Sequence, residues 1–246
     1  MKTCVCFYGL PQRSIKYTLD NIRENVLFDD PDIYVHTYDT TVAQCIRGGE
    51  PPTPVDPSDI RYLNPTKYRI DSEKEFNSTF DFQKYENYGN PFPGDPGGRQ
   101  TLHNLLRELH SIKQVWEMIP DPNKYDRIIM TRADLMFSRN LNFECPPGTL
   151  LTQVRPQGSI NHNDFFAIGS PQAIEPWANR IDYAEDFCEL GKKVEEYITR
   201  EKTGMGFHKG LHPETLVSHI VYRFGLKDSF LPIKVDRIRA SGKIAT

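Results

Sequence analysis

The segment 3–39 constrains the fold more than any other. "TCVCFYGL" (3–10) is a short apolar run rich in β-formers, closed by Gly9 and Pro11. It reads as a buried strand that ends in a turn. "SIKYTLDNIRENVL" (14–27) then sets Ile15, Leu19, Ile22 and Val26 at helical spacing, with Ser14 placed to cap the helix. "PDIYVHTYD" (31–39) is the next strand. Strand, helix and strand within so short a span predict a right-handed βαβ unit, because parallel strands need a crossover between them.

The alternation continues. "TLHNLLRELHSIKQVWEMI" (101–119) carries Leu102, Leu105, Leu106, Leu109, Ile112, Val115, Trp116 and Ile119 on one apolar stripe. "YDRIIMTRADLMFS" (125–138) reads as a strand, as does "DFFAIGS" (164–170). Helices are expected at 171–187 and 192–200, a Gly- and His-bearing loop at 202–212, a helix at 213–225, and a terminal strand and tail at 229–242. The class is α/β, with a mainly parallel sheet flanked by helices. Residues 40–100 differ. They carry the proline-rich runs "GGEPPTPVDP" and "NPFPGDPGG" and hold no sustained period. They read as a long irregular insertion with short strands around Tyr62 and Tyr68, packed in part by Tyr85, Tyr88 and Phe92. At 246 residues, the whole chain 1–246 is expected to form one domain with a full core.

Composition excludes some partners. A net charge of −3 gives no bulk attraction to nucleic acid or to an anionic membrane. An anionic ligand must then be held by local groups or by a metal. Five cysteines without a CxxC pair fit reduced thiols and a cytoplasmic location. No N-terminal pattern of a signal peptide is present, and no run approaches the ~20 apolar residues of a membrane span.

In open α/β sheets, ligands sit beyond the carboxyl ends of the strands, so polar residues just after apolar runs are the candidates. After the first strand come Tyr8, Gly9 and Arg13: a turn that permits close backbone approach and a guanidinium that matches phosphate. After the second comes Asp39, which could hold a ribose or base, or cap a helix or turn. In "IIMTRADLMF", Arg132 and Asp134 are two residues apart. In a continuous strand they share a face, and a carboxylate there can hold Mg²⁺ or Mn²⁺ against a diphosphate. The other reading is a buried ion pair, since an unpaired charge would be too costly to keep. The run His208–Glu214 places His212 just outside a helix that starts at Pro213, with Glu214 in its first turn. There His212 could ligate a metal, and Glu214 could be a base or a plain cap. In Asn161–Asp164, Asn163 and Asp164 could bond sugar hydroxyls or simply form a turn.

The order of these motifs resembles that of nucleotide-sugar-dependent glycosyltransferases of the GT-A type, in particular small ones that build surface or capsular glycans in bacteria and large DNA viruses. The matching stretches are the turn Gly9–Arg13, one residue longer than the family's G-x-x-R, "DIYVHTY" (32–38), "YDRIIMTRADLMF" (125–137), "NDFFAIG" (163–169) and the carboxylate-led helix start at Glu214. The resemblance covers nearly the whole chain except 40–100. It implies a Rossmann-like GT-A fold, a nucleoside-diphosphate sugar donor such as a UDP- or GDP-sugar, and a glycan or glycoconjugate acceptor. Implied roles are nucleotide and diphosphate binding for Tyr8, Gly9, Arg13, Asp39 and Arg132, and sugar binding for Asn163 and Asp164. Asp164 and Glu214 would be catalytic, with Glu214 the base of an inverting reaction. Asp134 and His212 would ligate Mn²⁺ or Mg²⁺. Arg132 replaces the first carboxylate of the family's Asp-x-Asp motif, and an arginine can itself neutralise phosphate. Two other readings compete. A sugar-phosphate nucleotidyltransferase would want a more glycine-rich turn than "GLPQRSIK"; a non-catalytic glycan-binding module would show no transfer with any donor.

Overall fold

The computed structural model describes residues 1–246 except 47, 93, 154–161, 202–209 and 246; the side chains of 194–201 are also outside the description. Asn161, His208 and most of the 202–212 loop therefore lie outside the described residues. β1 (Thr3–Tyr8) runs through a 3₁₀ turn at Pro11–Arg13 into α1 (Ile15–Asn25), and β2 (Asp32–Tyr38) returns parallel to β1. A hairpin of β3 (Val42–Cys45) and β4 (Glu50–Pro54) follows, then β5 (Lys67–Asp71), α2 (Glu73–Thr79) and α3 (Phe82–Glu86). α4 (Arg99–Glu117) leads to β6 (Arg127–Arg132), β7 (Leu135–Phe137), β8 (Thr149–Gln153) and β9 (Phe166–Gly169). α5 (Pro171–Ala178), α6 (Ala184–Glu201), α7 (Pro213–Arg223), β10 (Lys227–Leu231) and β11 (Val235–Arg237) complete the order.

The main sheet has seven strands in the order β10-β8-β9-β6-β1-β2-β5. Its pairings are parallel except those of β9 with β6 and β8. This is the mainly parallel α/β sheet that the sequence predicts. β1 and β6 lie at its centre with both faces covered, which is why they read as nearly unbroken apolar runs. Alternation along β1 sends Cys4, Cys6 and Tyr8 to a core with Ile112, Val115 and Trp116 of α4 and Trp177 of α5. Val5 and Phe7 face the opposite core, with Ile15 and Ile22 of α1.

Several local expectations need correction. The strand of 125–138 is not continuous: β6 stops at Arg132, Ala133 and Asp134 form a turn, and β7 leaves the main sheet to pair antiparallel with β11. Thr18 Oγ1 donates to Ala133 O at 2.6 Å and Ile238 N to Asp134 O at 2.7 Å, holding that turn in place. Tyr62 lies in a 3₁₀ helix, Pro57–Leu63, rather than a strand, because Asp56 caps Ser58 N ahead of Pro57 and the helix buries Ile60 and Leu63. The helix expected at 171–187 breaks after Ala178. Pro176 lacks an N–H and its ring crowds the preceding turn, so α5 ends two residues later. The 192–200 helix belongs instead to the continuous α6. Ser14 precedes α1 as expected, but its hydroxyl donates to Ile238 O at 2.7 Å and caps nothing. The insertion is also more ordered than its proline content suggests: β5 joins the sheet, and in the α2–α3 region Phe76 stacks on Phe80 while Phe82 meets both edge-on.

Candidate functional site

Parallel β1 and β6 end side by side, with Tyr8 opposite Arg132. Beyond that edge lies a cavity of about 820 Å³, bounded also by α4, the β3–β4 hairpin, the start of α7 and the segment after β11. Tyr8, Gly9, Arg13, Arg132, Asp134, Asp164, His212 and Glu214 all line it. Residues that are scattered over most of the sequence are thus brought to one place.

The turn after β1 is fixed from behind. Gly9 has φ +82°, a region that disfavours any side chain. Its N–H donates to Ser111 Oγ at 2.8 Å. That hydroxyl lies 2.7 Å from His36 Nδ1, whose Nε2 is 3.1 Å from Asp71 Oδ2. The Ser–His–Asp row is not a nucleophile, because Ser111 and His36 are fully buried; it positions Gly9. Burial lowers the His36 pKa against the pull of Asp71. Tyr8 is anchored by its hydroxyl, which donates to Phe165 O at 2.7 Å.

One wall is built of arginines. Arg132 Nε and Nη2 grip both Asp134 oxygens at 2.8 and 2.6 Å, and its Nη1 donates to Glu108 Oε2 at 3.0 Å. Arg237 Nε reaches Asp134 Oδ2 at 3.4 Å, and Arg13 Nη1 lies 3.7 Å from the same oxygen. Arg13 also pairs with Glu50, which in turn accepts from Ala240 N at 2.5 Å. Burial would raise the Asp134 pKa, but Arg132, Arg237 and Arg13 outweigh it and hold the carboxyl below the usual range. Burial likewise opposes the charge of Arg132, and Asp134 and Glu108 more than restore it.

The other wall is acidic. Asp164 is 6% exposed, and its Oδ1 has no hydrogen-bond partner among the described residues. Burial and the Glu214 carboxylate push its pKa up. Burial also raises Glu108, against the pull of Arg132. Glu214 sits in the first turn of α7, with its Oε2 3.1 Å from His212 Nδ1.

Two candidates stand elsewhere. Asp39 is exposed and not among the described residues that line the cavity; its Oδ1 accepts from Glu73 N at 2.9 Å at the start of α2, the capping role that its position also allowed. Asn163 does not line it either. It shapes the turn into β9, accepting from Phe165 N at 2.8 Å and donating to Gln153 Oε1 at 3.1 Å, and so presents Asp164.

Asp134, one of the two expected metal ligands, does not fit a divalent cation. Both Asp134 oxygens are already taken by guanidinium groups, and a dication beside three arginines would meet strong like-charge repulsion. Among the described residues, no group of three or more His, Cys, Asp or Glu side chains is arranged to hold a metal.

Several lining residues were not legible in advance. Glu108 sits beside the apolar stripe of α4 and looks like a surface residue in sequence. Arg237 and Arg239 belong to a stretch that reads as a tail, and only the β7–β11 pairing brings them to the cavity. The alternation of Arg237 and Arg239 around Ile238 was the available signal.

No protein-family model matches the sequence, and no curated protein matches it. Solved structures similar to it include the glycosyltransferase GlyE of Streptococcus pneumoniae TIGR4, at 10% identity and TM-score 0.38 over 94% of this chain and 45% of that one. Mouse xyloside xylosyltransferase 1 is similar at 11% identity and TM-score 0.42, over 94% and 84%. The galactosyltransferase LgtC, solved with donor and acceptor sugar analogues, is similar at 9% identity and TM-score 0.41, over 93% and 73%. The chain thus spans less than half the length of GlyE. At these scores the likeness is coarse and assigns no residue a role. No helix among the described residues is long and apolar enough to cross a membrane.

Proposed function

We propose that this chain is a GT-A type glycosyltransferase that moves a sugar from a nucleoside-diphosphate sugar to a hydroxyl of a glycan acceptor. The observation that carries the reading is a single cavity at the carboxyl edge of an α/β sheet, with guanidinium groups on one wall and buried carboxylates on another. The motif order along the sequence supports the same reading. In it, the donor's diphosphate lies against the Gly9–Arg13 turn, where backbone approach and the Arg13 guanidinium both favour an anion. The sugar extends toward Asp164, whose unpartnered Oδ1 accepts from a sugar hydroxyl. Glu214 takes the proton of the acceptor hydroxyl as its oxygen attacks the anomeric carbon, and the nearby His212 orients that carboxylate. A single displacement of this kind inverts the anomeric configuration.

The test is Glu214→Gln, with donor turnover followed by release of nucleoside diphosphate. The expected loss in kcat is about 10²–10⁴-fold, the usual weight of a general base, with donor affinity and melting temperature kept. Turnover close to that of the unaltered protein would remove Glu214 from the chemistry.

A further inference from the structure

The arginine wall carries more positive charge than the carboxylates paired with it balance. Arg13, Arg132, Arg237 and Arg239 face Asp134, Glu50 and Glu108. Four guanidinium groups against three carboxylates leave one charge over. Their commitments differ. Arg132 is fully engaged by Asp134 and Glu108. The Arg237 guanidinium makes one long polar contact, to Asp134 at 3.4 Å, and otherwise lies over the Phe165 ring, 5.3 Å from its centroid. Arg239 lies 3.9 Å from Glu50 Oε2, and its buried Nη1 has no hydrogen-bond partner among the described residues. The fold nevertheless makes room for it: a Cβ on Gly48, in the β3–β4 hairpin, would collide with the Arg239 guanidinium. Both side chains are held at the cavity by backbone. β11 pairs with β7, Ile238 N donates to Asp134 O at 2.7 Å, and Ala240 N donates to Glu50 Oε1. The charge of Arg132, with burial, lowers the pKa of Arg237, the mark of crowded like charges that an anion would relieve.

We infer that Arg237 and Arg239, delivered by the C-terminal segment, bind the donor's diphosphate together with Arg13, and that they do so in place of a divalent cation. The inference rests on the proposed donor reading. When the acceptor oxygen bonds to the anomeric carbon, the bond from that carbon to the phosphate oxygen breaks. Its electron pair leaves with the diphosphate, and the acceptor's proton passes to Glu214. The diphosphate gains one negative charge, and fixed guanidinium forks meet it through bidentate, charge-assisted bonds. Asp134 serves as the counter-charge that keeps the arginines together in the ligand-free protein.

The test is calorimetric titration of the intact chain with UDP, GDP and inorganic pyrophosphate, in EDTA and again with Mn²⁺. The expected result is binding in EDTA, within about threefold of that with Mn²⁺. The Arg237→Ala/Arg239→Ala pair should weaken it by about tenfold or more, the scale of lost charge-assisted bonds. The Lys pair should recover only part of it, since lysine keeps the charge but not the fork. Binding that appears only with Mn²⁺ overturns the inference, and so does unchanged binding by the double variant. The EDTA comparison needs no variant, so a misfolded mutant does not blunt the test. Sugar transfer that requires Mn²⁺ would leave the transferase reading standing and remove this one. Metal-free, arginine-dependent pyrophosphate binding in a protein that transfers no sugar would do the reverse. No binding in either buffer rejects both.

Discussion

At the scale of single residues, Asp134 does structural and electrostatic work together. It is 3% exposed and faces three guanidinium groups. Removing one partner from a buried charge cluster typically costs about 3–5 kcal/mol, here because Arg132, Arg237 and Arg13 would be left crowded. Asp134→Asn should therefore lose roughly that much stability in urea unfolding; a loss below about 1 kcal/mol would mean that solvent screens the cluster as it does a surface pair. The pH dependence has a definite sign. The folded pKa of Asp134 is depressed, so its contribution is present above the unfolded value near ~3.9 and is lost as pH falls below it. The asparagine variant should show a flatter acid limb. The proximity of Arg132 and Asp134 was legible in sequence, as was the alternative of a buried ion pair. The two residues meet through a turn, not along one strand face. Arg237 and Arg239 were illegible as site residues because their neighbours are roughly a hundred positions or more away in the chain.

At the scale of elements, the insertion between β2 and α4 is the part that the sequence described least well. Its helices are short and carry no long apolar stripe of their own; their apolar residues are mostly aromatics that pack on one another and on the leucines of α4. Besides the pairing of β5 with β2, one link to the rest of the fold is His110 on α4, whose ring lies 4.4 Å from that of Phe76 and whose Nδ1 is 2.7 Å from the Tyr38 hydroxyl. Burial, with His36 nearby, lowers the His110 pKa to about 4. The folded protein thus favours neutral His110, and this contribution to stability is whole above the unfolded value near ~6.5 and declines as pH falls from there toward 4. Amide exchange in α2 and α3, corrected for the intrinsic rate, should therefore quicken between pH 6.5 and 4 relative to the main sheet. His110→Gln should abolish the difference. Uniform protection across that range would show that His110 does not pin these helices. α4 and the βαβ start, by contrast, were readable because their apolar spacing is long and regular.

At the scale of the whole molecule, the sheet's class was readable and its order was not. An apolar run such as "DFFAIGS" says strand without saying that β9 will run antiparallel between β6 and β8. That choice is made by pairing across the chain. The same holds for the cavity: each of its walls is supplied by segments far apart in sequence, and only the closed fold gives one edge both a cationic and an acidic side. On the proposed function, this edge holds a nucleoside-diphosphate sugar. Thermal unfolding of the protein with UDP- and GDP-sugars tests it most directly. A donor present at about 100 times its Kd should add ~2.7 kcal/mol of stability, which for a chain of this length raises Tm by about 5–10 °C. A shift of that size with at least one such sugar is the expected result; no shift with any of them, alongside a clear shift with a sugar phosphate and a nucleoside triphosphate, would contradict it.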